Sequence, residues 1–205
     1  MDEIFTLFIE EMGAPLSRKE VPPSSIERYR DKLPEKLLEY WREHGWCGYG
    51  DGIFWTVNPQ DYEGVVNSFI ENTALKGRDT YHVIARGAFG DLYLYGEHSG
   101  FSVSIVPYTS NYSGRNSTPV ALDHKKAVEG FFLLMDQESN DFGDLFEPAK
   151  NKLGRLEYDE IYGFVPALAI GGMIKLENIE RVKAVEHLIF LSQLSPLEPY
   201  AFSDF

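Results

Sequence analysis

Apolar positions recur at helical spacing at the start of the chain. Ile4, Phe5, Phe8, Ile9 and Met12 share one face, opposite Asp2, Glu3, Glu10 and Glu11. Gly13 and Pro15 end that predicted helix. Beyond Pro22 and Pro23, Ser24 or Ser25 is placed to cap a short helix carrying Ile26, Tyr29 and Leu33. Pro34 then opens a third, with Leu37, Leu38 and Trp41 inward and Gly45 closing it. Past the glycines at 48, 50 and 52 the pattern changes, and residues 53–57 carry the β-forming types of a strand. Asn58 and Pro59 predict the cap and first turn of a helix through Val65, Val66, Phe69 and Ile70. Runs at 81–86, 92–96 and 101–107, parted by glycine-containing turns, predict an antiparallel meander. Residues 108–119 are polar and turn-rich, which predicts a loop and a domain boundary.

Helical spacing returns at 125–135 through Val128, Phe131, Phe132 and Met135. Residues 142–153 predict a helix interrupted at Pro148, whose ring removes a donor and crowds the preceding turn. Residues 156–163 lead into an apolar segment, 164–169, that Gly171 and Gly172 end, and 179–191 predict a last amphipathic helix. The expectation is an α+β fold. It has an antiparallel-rich sheet of about four or more strands flanked by helices, with a helical N-terminal entry and a helical C-terminal part. Two domains, 1–118 and 119–205, are expected to pack against each other.

Composition narrows the function. At 205 residues, 43% hydrophobic and 25% charged, the chain is an ordinary globular sequence that buries roughly 70% of its unfolded surface. Cys47 is the only cysteine, which excludes an internal disulfide, cysteine-rich zinc sites and iron–sulfur clusters. The net charge of −13 repels phosphate backbones and anionic lipid. It predicts no direct nucleic-acid or membrane contact and favours a basic partner, or solubility alone. The acidic opening Met-Asp-Glu-Ile-Phe is unlike an export signal, and the apolar stretch 164–174 is too short to span a membrane, so a cytoplasmic protein is expected.

Catalytic patterns are weak. None of His44, His82, His98, His124 and His187 pairs with another at ligand spacing. Cys47 lies three residues beyond His44, but its place between Trp46 and a glycine-rich turn reads as a packed small hydrophobe. The glycines at 48–52 lack the lysine and hydroxyl of a phosphate loop. No hydrolase or kinase motif occurs. The expectation is a non-enzyme with no catalytic residue, metal or cofactor.

One charge feature stands apart. Asp136, Glu138, Asp141, Asp144 and Glu147 fall within twelve residues that hold no lysine or arginine, with Phe142, Leu145 and Phe146 among them. A calcium loop is excluded, because Asp141 stands where such a loop needs glycine. What remains is either a solvated acidic face or a docking surface for a basic protein, on which Phe142 and Phe146 would be apolar anchors.

Longer passages carry a resemblance. Residues 22–29, then Lys32-Leu33-Pro34 with Leu37, Leu38, Tyr40 and Trp41, then Gly45-Trp46 and 51–59 resemble the GAD-like domain. Residues 153–169, with Gly171, Gly172 and the helix around His187 and Leu188, resemble the C-terminal domain of bacterial type VI secretion immunity proteins. The resemblance implies an antidote that binds a toxin delivered between competing bacteria, typically a DNA-degrading effector. A regulatory or scaffold module of related fold is the alternative. Within the matched passages, Trp41, Trp46, Phe54 and Trp55 are expected to be buried where helix meets strand, and Gly163, Gly171 and Gly172 to hold turns. Tyr158, Asp159 and Glu160 are either structural or an exposed aromatic–acidic contact for the partner.

Overall fold

The computed structural model describes residues 2–114 and 123–200. Helix α1, Glu3–Met12, turns Phe5, Phe8 and Met12 inward. Its cap is Asp2, whose carboxylate accepts from the Ile4 and Phe5 amides at 3.1 and 3.2 Å and from the Tyr40 hydroxyl at 2.8 Å. Burial works against the Asp2 charge, but Lys36 and these donors outweigh it and hold the carboxyl down at about 2. Strand β1, Leu16–Lys19, follows, then α2, Pro23–Tyr29, and α3, Glu35–His44. Next come β2, Trp46–Tyr49, and β3, Phe54–Thr56, then α4, Glu63–Ile70. The meander is β4, Tyr81–Gly87, β5, Leu92–Gly96, and β6, Gly100–Val106, continued by β7, Asn111–Gly114. The C-terminal part contains α5, His124–Leu133, α6, Gln137–Asn140, and α7, Phe146–Leu153. It ends with β8, Glu160–Phe164, β9, Ile179–Lys183, α8, Ala184–Leu194, and β10, Glu198–Pro199.

Eight strands form one sheet in the order β1-β2-β3-β4-β5-β6-β7-β10, antiparallel except for the parallel β7–β10 pair. A second sheet is the hairpin of β8 and β9. The fold is the expected α+β type. Several elements differ from what the sequence predicts. Residues 111–114, expected in a loop, pair with β6 from Asn111 opposite Val106 to Gly114 opposite Val103, while 115–119 lie outside the described residues. Residues 179–183 form a strand, so the last helix begins only at Ala184. Pro148 does not interrupt α7, because it stands in the first turn, where its missing N–H has no helical acceptor to lose.

Large aromatic side chains fill the junction of helix and strand. Trp41 and Trp46 meet edge to face at 5.6 Å, and Phe54 and Trp55 are fully buried. Gly163 is no turn: it lies in β8, where a Cβ would come within 2.8 Å of both the His187 ring and Val182. The C-terminal part is fastened to the first sheet through Tyr158 and Arg86. The Tyr158 hydroxyl accepts from the Asn58 amide at 3.0 Å, its carbonyl accepts from the buried Arg86 guanidinium at 2.8 Å, and Trp55 packs edge-on against its ring. The Tyr162 amide donates to the Ala88 carbonyl at 2.8 Å. Phe89, between β4 and β5, packs against Phe142, Tyr162 and Phe164.

Candidate functional site

The acidic segment folds into the short helix α6, a turn and the start of α7, and its carboxylates divide into two kinds. Asp136 caps α6, accepting from the Ser139 amide at 2.7 Å and hydroxyl at 2.9 Å. Asp141 accepts from the Phe146 amide at 2.9 Å, which ties the turn to α7. Glu147 pairs with Lys150, which also binds Asp51 at 2.9 Å. Glu138 and Asp144 are exposed, and their carboxylates form no ion pair or hydrogen bond among the described residues. The local chain therefore uses three of its five acids internally and leaves two for solvent or a partner.

The fold adds groups that sequence spacing does not connect. The Gln137 amide reaches the carbonyls of Glu11 and Met12 at 3.4 and 3.3 Å, bringing the negative C-terminal end of α1 against α6. Asp51, held to Lys150 and Arg155, joins the same surface from the 50–52 turn. Both donors to Asp51 lower its carboxyl, Lys150 most strongly. No pattern in the sequence places residues 11, 51 and 138 together, because the link is a tertiary one through Gln137 and Lys150.

The expected aromatic anchors lie elsewhere. Phe146 is buried, 6.0 Å from the Tyr162 ring, with Lys150 over its face. Phe142 is half-buried in a cluster with Tyr108 at 4.6 Å and Phe164 at 5.8 Å. Tyr158 is buried, with the Lys19 ammonium 3.8 Å above its ring. Phe142 and Phe146 thus pack into the interior beneath the segment, and Tyr158 packs against Trp55. Asp159 is exposed but paired with Lys183 at 2.8 Å, and half-buried Glu160 faces Arg181 and Lys183. Among the described residues, no hydrogen bond or ion pair joins residues 158–160 to the 136–147 segment.

The other titratable groups are structural in their geometry. The Cys47 thiol is buried 2.9 Å from the His44 carbonyl, and burial raises its pKa, which disfavours a thiolate. His44 stacks on Phe5 at 3.9 Å, His82 pairs with Glu97 at 2.8 Å, and His98 with Asp79 at 3.0 Å. Among the described residues, no group of three His, Cys, Asp or Glu side chains is arranged to hold a metal ion. Two shallow grooves, about 350 and 280 Å³, adjoin at Pro34, Glu35 and His124. Their charged side chains are largely engaged: Lys36 binds Asp2 and Glu39, Glu35 binds Arg42, and Arg30 binds Glu27. Among the described residues, no helix is long and apolar enough to cross a membrane.

Comparison with known proteins gives two family matches. A model described as the GAD-like domain matches residues 3–109, and one described as T6SS immunity protein Tdi1, C-terminal, matches residues 125–195. Among curated proteins there is no match. The crystal structure of Atu4351 from Agrobacterium tumefaciens is similar in fold, with a TM-score of 0.85 at 21% identity, covering 98% of this chain and 93% of that one.

Proposed function

The chain belongs to the GAD-like family and carries the C-terminal region of type VI secretion immunity proteins, and from that premise we propose that it binds and neutralises a cognate antibacterial toxin. The observation that carries this reading is the immunity-protein match over residues 125–195, the stretch that also contains the acidic segment. The toxin proposed is a DNase. A nuclease must offer DNA a basic surface, and a protein of net charge −13 can occupy that surface in place of the phosphates. Neutralisation is then stoichiometric occlusion in the cytoplasm, not catalysis.

Glu138 and Asp144, with Glu11 and the carbonyl end of α1 beside them, are the groups we assign to the encounter. Complementary charge of this kind raises the association rate and loses strength as salt screens it. Residues 1–118 and 119–205 are proposed to act as one body in this binding, since the Tyr158–Arg86 and Tyr162–Ala88 bonds join them.

The test is co-production of this chain with its cognate toxin domain, sought among the genes that neighbour its own. The expected result is survival of the host, intact DNA, and a one-to-one complex by mass measurement. A host that dies with both proteins present, or a complex that never forms, overturns the reading.

A further inference from the structure

The loop joining β8 to β9, residues 165–178, packs Ala167, Leu168 and Leu176 inward and turns four other apolar side chains outward. Ile170 is 57% exposed, Met173 54%, Ile174 55% and Val165 40%, and α8, which packs against this loop, adds Phe190 at 43%. Single exposed apolar residues are ordinary on any surface, but four within the ten residues 165–174 depart from scattered exposure and are of the kind that marks a contact site.

The loop is also stiff. Its ends are closed by the β8–β9 pairing of Phe164 with Ile179 and by the Val165 amide on the Asn178 carbonyl at 2.7 Å. Inside it, the Gly172 amide donates to the Ala167 carbonyl at 3.0 Å, and the Asn178 side-chain amide to the Met173 carbonyl at 3.1 Å. The Lys152 ammonium of α7 gathers the Leu176 and Glu177 carbonyls at 2.8 and 3.2 Å. A Cβ on Gly172 would stand 1.9 Å from the Pro166 carbonyl oxygen, so only glycine lets the backbone cross there. A loop fixed in this way loses little further entropy when it is gripped.

We infer that this loop is the affinity centre for the basic toxin, while the acidic segment governs how fast the two meet. The inference rests on the reading proposed above. Charge complementarity identifies the occupant. Glu177, Glu180 and Glu186 at the rim are exposed and in no ion pair among the described residues. Of the cations nearby, Lys152 is engaged by carbonyls, and Arg181 and Lys183 by Asp159 and Glu160, which leaves Lys175 against three acids. An apolar centre inside an acid-weighted rim fits a basic protein carrying an apolar contact of its own. Beneath the surface the loop and the acidic segment share packing, since the buried Phe164 ring that precedes the loop lies 5.8 Å from Phe142.

The experiment measures binding kinetics of a nuclease-dead form of the cognate toxin domain identified by the co-production test above. Its partners are wild type, Ile170→Ser with Met173→Ser, and Leu134→Ser, the last at an exposed leucine beside the acidic segment. The double variant should dissociate about thirtyfold faster or more, as truncated hot spots do, with association changed less than about twofold. Leu134→Ser should behave as wild type. Urea midpoints check the fold, and Met173→Lys alone, placing a cation against a basic partner, serves if the double variant is destabilised. Wild type that fails to bind overturns the proposed function and this inference together. Wild type that binds, with loop variants that bind equally well, overturns this inference alone. It is likewise overturned if the loop variants abolish only self-association of this chain, or if Leu134→Ser carries the loss.

Discussion

The 136–147 segment and the β8–β9 loop lie close in space and invert what their sequences suggest. The segment is the most conspicuous charged run in the chain, yet three of its five acids cap, brace or pair within the fold. The loop holds most of the apolar stretch 164–174, yet its Ile170, Met173 and Ile174 face solvent. Charge written in the sequence overstates what is free to act, and hydrophobicity overstates what is buried. In both cases the backbone decides: caps absorb carboxylates, while glycine crossings hold apolar side chains outside.

The largest effect calibrates an interior aromatic against both stretches. Trp41→Ala should lower the unfolding free energy by about 3–5 kcal/mol, measured by urea denaturation, because Trp41 is buried against Trp46 and Tyr29. Gly172→Val comes next, at about 2–3 kcal/mol, since the new side chain must displace the Pro166 carbonyl. A stable Gly172→Val protein would show that the loop is softer than its hydrogen bonds imply.

Within the acidic segment, the engaged and free carboxylates should part. Asp136→Ala should cost about 1 kcal/mol through loss of the α6 cap. Glu138→Gln with Asp144→Asn should stay within about 0.5 kcal/mol of wild type. The latter pair should instead slow toxin association severalfold at low salt and leave dissociation nearly unchanged. Equal stability losses in both variants would erase the division.

Asp91 gives a pH-dependent test beneath the same surface. Burial pushes its carboxyl up to about 6, although the Tyr108 hydroxyl, whose ring packs on Phe142, donates to it at 3.0 Å. The folded state thus binds this proton more tightly than the unfolded chain does. The stability associated with Asp91 is greatest below about pH 4, falls as pH rises towards 6, and is flat above. Asp91→Asn, which keeps an acceptor for Tyr108, should therefore match wild type near pH 4 and exceed it by about 2–3 kcal/mol near pH 8. Thermal melts at the two pH values check this.

Much of the fold is legible in the sequence because its helices bury one stripe each. The stripe of Phe5, Phe8 and Met12 is the clearest case. The strands that stay hidden have no such pattern. In β1, Leu-Ser-Arg-Lys is a polar edge, and in β2 Trp-Cys-Gly-Tyr is buried on both faces, so neither alternates. Gly48 reads as a break, yet it leaves room for the Trp55 indole, 2.9 Å from where a Cβ would stand. At the candidate site, the acids are visible in the sequence and their engagement is not, since Lys150 and Gln137 reach partners far away in the chain. Phe146 and Tyr158 look like surface anchors for the same reason: their companions Tyr162, Asn58 and Trp55 come from other elements.

The parallel clasp of β10 on β7 has a consequence for biosynthesis. Glu198 lies opposite Asn111 and Pro199 opposite Tyr112, so the sheet of the leading half is completed by residues that leave the ribosome last among those described. Until then, one side of β7 offers unpaired amides and carbonyls to any neighbouring chain. A nascent chain halted before residue 198 would carry most of its sheet and an open edge, the form in which chaperones would be needed most.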